Sequence, residues 1–279
     1  MKKTIFSLLG MLLFSQFLFA QTYQRGTSWW LPKNNSPIGA EIDFLFDLIM
    51  WITCVGFVLA FAVLIWFMIK YRAKEGGKAI YSHGNSTAEI IWTVSPTIIL
   101  IVIFILSDSV WQKVRTTESS PDAEIIEVQA QQFQWNVRYP GPDGKFGAID
   151  FRQVTTDNIM GIDSADVNGK DDLVFINQMT IPVGKQIELR LTTKDVIQSL
   201  FLPEYRLKTD ILPGNHHRMI FSALLPAQTE IACAELCGLG HYRMRGYLNA
   251  IPQDEYDKWK KDEYAKITAA ASDSTIASL

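Results

Sequence analysis

Cys233-Ala234-Glu235-Leu236-Cys237-Gly238-Leu239-Gly240-His241-Tyr242-Arg243-Met244 is the stretch on which the reading of this chain turns. It places two thiols, an imidazole and a thioether in one short run. Soft sulfur donors with one imidazole select copper or a similar soft ion over magnesium or calcium. A thioether is a poor zinc ligand, so Met244 moves the reading from zinc towards a redox metal. A bare Cys-x-x-x-Cys reads first as a disulfide or as two buried thiols. His241 and Met244 at these offsets favour a metal-binding loop instead.

The residues around this run read as strands. Residues 124–139, 173–181, 186–192, 218–223, 230–234 and 246–251 form short, mostly alternating runs. Turn signals separate them at Pro140-Gly141-Pro142-Asp143-Gly144, Pro182-Val183-Gly184 and Leu212-Pro213-Gly214-Asn215. Many short strands with such turns predict a Greek-key sandwich, with the cysteine run joining its last two strands. Residues 140–178 form a long acidic insertion. Its Asp163-Ser164-Ala165-Asp166-Val167-Asn168-Gly169 faintly resembles a calcium loop, but the first and last carboxylates are missing, which excludes an EF-hand. A solvated acidic face is the default reading, and a docking surface for a basic partner is a second. Residues 253–267 are charged and helix-compatible, with Tyr256, Trp259 and Tyr264 near one face. Residues 269–279 are small and polar and read as disordered.

Two uncharged runs precede the sandwich. Residues 48–69 are long enough to cross a hydrocarbon core of about 30 Å, with Trp51 and Trp66 near the ends where aromatic belts form. Residues 90–106 form the second run, bounded by Glu89 and Asp108, with Pro96 inside it. Together they predict a transmembrane helical hairpin. The connecting loop holds Lys70, Arg72, Lys74 and Lys78 against Glu75, which places it in the cytoplasm and the rest of the chain outside. Residues 1–20 read as a secretory signal peptide: Lys2 and Lys3 form the charged start, 5–14 is mostly apolar, and Leu18-Phe19-Ala20 is a cleavage end. The signal gives the same orientation independently. Glu89 falls at the membrane surface at the start of the second helix. A carboxylate there is favourable by itself, and membrane-edge carboxylates also mark proton routes.

Composition sets the remaining limits. A net charge of −3 over 279 residues points to no nucleic-acid partner. Only three cysteines occur, too few for a disulfide scaffold once Cys54 is assigned to an apolar run. No Cys-x-x-Cys-His occurs, so no attached c-type haem domain is expected. The chain also lacks the multi-helix, His-rich core that haem and oxygen chemistry would need.

From about residue 42 to 252 these residues resemble subunit II of the haem-copper cytochrome c oxidases. The resemblance is carried by His83-Gly84-Asn85…Glu89…Trp92-Thr93…Pro96, by Gln132-Phe133-Gln134-Trp135…Tyr139-Pro140, by Asp195-Val196-Ile197-Gln198-Ser199 through Lys208-Thr209-Asp210…Pro213-Gly214, and most specifically by the Cys233–Met244 run. It implies a two-helix transmembrane hairpin bearing an all-β, cupredoxin-like Greek-key sandwich. The expected divisions are 1–20 signal peptide, 21–41 extracytoplasmic segment, 42–70 and 89–108 transmembrane helices about a cytoplasmic loop at 71–88, 109–252 copper domain, and 253–279 C-terminal helix and tail. The implied setting is a two-pass protein of the bacterial inner membrane with both termini periplasmic.

The resemblance implies a dinuclear copper centre. Cys233 and Cys237 bridge the metals, His241 is a ligand, Met244 a weak ligand, and the Glu235 carbonyl completes the set. Glu235 also reaches a magnesium shared with subunit I. Glu89 matches the entrance of a proton channel, and Lys208 and Asp210 match positions that face subunit I. The implied role is that of an aa3-type terminal oxidase subunit in a respiratory chain. It takes electrons from a c-type cytochrome or associated donor complex and passes them to subunit I, where oxygen is reduced. Other oxidase subunits are implied partners.

Two positions depart from the family. The family's second histidine ligand is Gln198 here, and an amide oxygen is a harder and weaker donor than imidazole. The site then holds copper with an altered ligand set, holds less copper, or holds none. His216 and His217 lie further along, where the family has no ligand. The aromatic position that receives electrons is Phe133 where the family has tryptophan, with Trp135 remaining nearby. The alternative to an electron-transfer subunit is a copper-depleted structural subunit of a quinol-oxidase-like or altered-donor complex. A third class is a tethered thiol oxidoreductase, disfavoured because redox pairs usually have two intervening residues.

Overall fold

The computed structural model describes residues 30–78, 81, 83–115 and 117–276. The signal peptide expected at 1–20 lies outside the described residues. Two long helices come first, α1 (Gly39–Lys70) and α2 (Ser86–Arg115). Asn85 caps α2, its Oδ1 accepting the Ala88 N–H at 3.1 Å. Pro96 lies inside α2, and in the turn it disturbs the Thr97 hydroxyl donates to the Thr93 carbonyl at 2.7 Å. Gly39 and Val110 are the buried residues of the pair, while Phe57, Leu59, Trp66, Ile90, Leu100 and Phe104 stand exposed. Helices apolar all round belong in lipid. The chain is a two-pass membrane protein.

The second part is a sandwich of two five-stranded sheets. Its strands are β1 (Glu124–Gln131), β2 (Gln134–Tyr139), β3 (Leu173–Ile176), β4 (Gln178–Pro182), β5 (Gln186–Thr193), β6 (Gln198–Leu202), β7 (Leu207–Ile211), β8 (His217–Ser222), β9 (Ala227–Cys233) and β10 (Arg245–Ile251). One sheet runs β3-β2-β1-β5-β8 and the other β4-β10-β9-β6-β7. The β1–β5 and β10–β4 pairs are parallel and the other pairs antiparallel. This is the cupredoxin-like arrangement that the resemblance implied. Alternation on β1 turns Ile126, Val128 and Ala130 inward against Leu189, Leu191, Leu200, Ile231 and Leu248. Each large side chain so buried contributes about 1.5–3 kcal/mol.

Three expectations about the strands need correction. Residues 124–139 form a hairpin, β1 and β2, because Gln132-Phe133 turns the chain without a glycine or proline to mark it. Residues 173–181 are two strands in different sheets, parted at Asn177, whose φ of 57° breaks the extended run. Its side chain compensates by accepting the Trp135 N–H at 2.8 Å. Strands β6 and β7 were not foreseen. Four of the five β6 residues are buried, so no alternation betrays it.

The acidic insertion is folded rather than only solvated. Asp150, Asp163 and Asp166 accept nearby backbone N–H groups at 2.8–3.0 Å, fixing its turns. Asp172 is buried against Arg138. A third helix, α3 (Gln253–Ile276), packs back on the sandwich. Tyr256 donates to Glu124 at 2.9 Å, and Trp259 packs against Tyr139 and Phe175. The disorder expected from 269 is not found as far as Ile276, because the alanines there are strong helix formers. Residues 277–279 lie outside the described residues.

The sandwich is fastened to the foot of the hairpin. Arg206 grips Asp43 with two bonds, Nε at 2.6 Å and Nη2 at 3.0 Å. Asn35 accepts from Leu225 N–H at 2.8 Å and donates to the Leu225 carbonyl at 3.0 Å.

Candidate metal centre

Cys233 ends β9, the loop that follows carries Glu235 and Cys237, a short turn at His241–Arg243 carries the imidazole, and Met244 precedes β10. Strand β6 lies beside β9 and brings Gln198 to the same place. The geometry gathers six electron-pair donors. Cys233 Sγ lies 3.8 Å from Cys237 Sγ, 3.3 Å from Gln198 Oε1 and 3.2 Å from the Glu235 carbonyl oxygen. Cys237 Sγ lies 3.6 Å from His241 Nδ1 and 3.8 Å from Met244 Sδ. Among the described residues, this is the one group of three or more His, Cys, Asp or Glu side chains close enough to share an ion.

The set fits a soft metal. Two thiolates on one tetrahedral ion, each at about 2.3 Å, lie about 3.8 Å apart. The two sulfurs already stand at that separation, and a disulfide would need about 2.05 Å. Gln198, Cys237 and Met244 are nearly or fully enclosed, while Cys233 and His241 are partly exposed. Burial first, and the neighbouring Cys233 next, push the Cys237 thiol up to about 11. A raised thiol is a poor nucleophile, which disfavours disulfide exchange, and metal binding there would release its proton.

The loop is held from outside by the β1–β2 turn. Gln132 Nε2 donates to the Cys237 carbonyl at 2.6 Å, and Gln132 N–H donates to Asp195 at 2.8 Å. The Phe133 ring lies flush on Gly240, where an added Cβ would stand 2.5 Å from ring carbons. Gly238 has a φ of 130°, a left-handed value that favours glycine. Sequence reading assigned Gln132, Asp195 and the two glycines no role. The Gly-x-Gly between cysteine and histidine was the available signal.

The remaining expected site residues fall as follows. Phe133 sits beside the metal loop. Trp135 is wholly enclosed under Gly246, turned by β2 into the core. His216 and His217 are not in the cluster, and His217 Nε2 instead accepts the Leu212 N–H at 3.4 Å. The Glu235 side chain is exposed. Lys208 and Asp210 lie on the exposed face of β7, and Asp210 accepts from Ser199, the neighbour of Gln198, at 2.7 Å. Glu89 stands exposed in the first turn of α2.

Comparison with known proteins agrees in kind. Residues 23–110 match the family described as cytochrome c oxidase subunit II, transmembrane domain, and residues 125–251 match the periplasmic domain of the same subunit. The alternative cytochrome c oxidase subunit 2 of Bradyrhizobium diazoefficiens is 29% identical, covering 84% of each chain. The probable cytochrome c oxidase subunit 2 of Rickettsia felis is 30% identical over 80% of this chain and 68% of its own. The crystal structure of the periplasmic domain of cytochrome oxidase subunit II from Bradyrhizobium japonicum is 26% identical, covers 53% of this chain and 98% of its own, and gives a TM-score of 0.39. Two matched domains in their proper order, over a hairpin and a sandwich that present a Cys-His-Met cluster, place this chain in the cytochrome c oxidase subunit II family.

Proposed function

We propose that this chain is the electron-receiving subunit of an aa3-type terminal oxidase, holding a copper centre at the Cys233–Met244 loop despite Gln198. The carrying observation is the convergence of six donors. Cys233, Cys237, His241 and Met244 would hold the metal, with the Glu235 carbonyl and Gln198 Oε1 on the Cys233 side. Bound there, copper would supply one-electron redox chemistry. The residues do the rest. The enclosed Cys237 and Met244 keep water out, the rigid sandwich fixes donor positions, and Gln132 and Phe133 press the loop into shape.

The wider assignment follows the family. The donor is a c-type cytochrome or associated complex, which meets the loop on the side of Phe133. Lys208 and Asp210 face subunit I, which reduces oxygen, and Glu235 extends to a magnesium shared with it. Glu89 opens a proton route at the other end of α2. The chain sits in the bacterial inner membrane with the sandwich and both termini on the periplasmic side. Copper analysis and EPR of the purified complex test the reading. Copper bound in stoichiometric amount, with thiolate-to-metal absorption, supports it.

One observation favours the second reading, a copper-depleted structural subunit: the Gln198 position, where the family has a histidine, is filled by a fully buried amide whose Nε2 has no partner. A folded complex with copper at background would establish that reading instead.

A further inference from the structure

We propose that the cleft between the foot of the hairpin and the sandwich binds the headgroup of one zwitterionic phospholipid, of the phosphatidylethanolamine kind, from the surrounding bilayer. The cleft has a volume of about 390 Å³ and is open to the surface. Its size is that of a small-ligand site. Ile38 and Val114 of the stalk and Leu207, Ile220 and Phe221 of the sandwich form its apolar walls. It shares no residue with the metal loop.

The level of the cleft decides what reaches it. Lys113, on its rim, is five residues past Asp108, the first charge after the uncharged run of α2. At 1.5 Å per residue it stands about 7.5 Å beyond that boundary. The polar layer on each side of the hydrocarbon core is about 5–8 Å deep. Trp111, between the two and 55% exposed, is of the residue type that settles in that layer. The mouth of the cleft therefore lies among lipid headgroups.

The polar groups of the cleft match a zwitterion. Lys113 Nζ pairs with Glu41, at 2.8 Å from Oε1 and 2.7 Å from Oε2, and both side chains are about half exposed. So exposed a pair is weakly held and opens readily. Opened, it offers a cation to a phosphate and a carboxylate to an ammonium a few atoms away on the same ligand. Ser36 lines the same cleft, is 1% exposed, and its hydroxyl has no hydrogen-bond partner among the described residues. A buried hydroxyl left so is costly, and a phosphate oxygen would accept its hydrogen bond. The apolar walls receive the glycerol and the first methylenes, and the acyl chains continue down the exposed apolar flank of the hairpin. An anionic headgroup would satisfy Lys113 but leave Glu41 facing a like charge.

The test uses the full chain, delipidated in detergent, and native mass spectrometry after addition of dioleoylphosphatidylethanolamine, dioleoylphosphatidylglycerol or inorganic phosphate. One ethanolamine lipid per chain is expected to stay bound, about tenfold more tightly than the glycerol lipid, the worth of one charge-assisted hydrogen bond. Lys113→Gln with Glu41→Gln should remove that preference. Val114→Trp, which fills the cleft, should displace the lipid while far-UV circular dichroism stays that of the parent. An ethanolamine lipid carrying a photoreactive group near the glycerol should label the peptides that hold Leu207 and Ile220. Equal retention of the two lipids, a preference that survives the double substitution, or labelling confined to the hairpin would overturn the site. Retention of inorganic phosphate with no lipid would overturn the occupant.

Discussion

Two buried polar clusters sit in the same sandwich, and they are closed in opposite ways. In one, the Arg138 guanidinium, 1% exposed, donates to Asp172 Oδ2 at 3.0 Å, to Glu127 Oε2 at 3.1 Å and to the Gly147 carbonyl at 2.6 Å. Every donor there meets an acceptor of the same chain, and Asp172 Oδ1 is the one oxygen left over. In the other, two sulfhydryls, a thioether, an imidazole and two oxygens face one another. A cluster whose cation and carboxylates pair with one another belongs to the fold. A cluster of soft donors gathered round two thiols offers a metal its ligands. Buried polarity as such does not mark a site; the kind of donor does.

That contrast can be broken in four ways. The largest effect should come from Cys233→Ser with Cys237→Ser. Copper per chain falls to background by metal analysis, while the far-UV circular dichroism stays that of the parent. Arg138→Met should do the reverse. Removing one partner of a buried pair costs about 3–5 kcal/mol, so thermal unfolding in detergent moves sharply down while the folded protein still takes up copper. Loss of copper binding in the folded variant would show that the clusters are not independent.

Gly240→Ala should have an intermediate effect. Its Cβ enters the Phe133 ring at 2.5 Å, an overpacking worth about 1–3 kcal/mol. Faster copper release to a chelator is expected, and Phe133→Ala in the same chain should restore it.

The smallest effect concerns α3. Burial pushes the Glu124 carboxyl up, but Lys260, Tyr256 and Lys185 together hold it below its ordinary value. A lowered carboxylate pKa stabilises above the unfolded value of about 4.3 and loses that contribution as pH falls through the folded value. Trp259 fluorescence should therefore report a docked α3 at neutral pH and its release in strong acid. Lys260→Met should move the release to higher pH.

The sequence disclosed the hairpin and the metal loop for the same reason: each is contiguous. An uncharged run and a Cys-Cys-His-Met spacing need no knowledge of the fold. What stayed hidden depends on strand neighbours distant in the chain. Gln198 could be compared with a family pattern, but only the β6–β9 pairing shows its oxygen against Cys233. Gln132 bonds to a carbonyl 105 positions away. The Gln132-Phe133 turn and the break at Asn177 carry no glycine or proline, so a hairpin and a crossing between sheets each read as a single strand. The burial of Trp135 was not legible because β2 is covered on both faces, by α3 and the insertion as well as the core.

The bonds between Asn35 and Leu225 join residues 190 positions apart, and Arg206 closes on Asp43 across 163. An early part of the polypeptide thus waits for a late one before the head takes its pose on the stalk. A chain cut short anywhere before Arg206 would keep its helices and lose its aim.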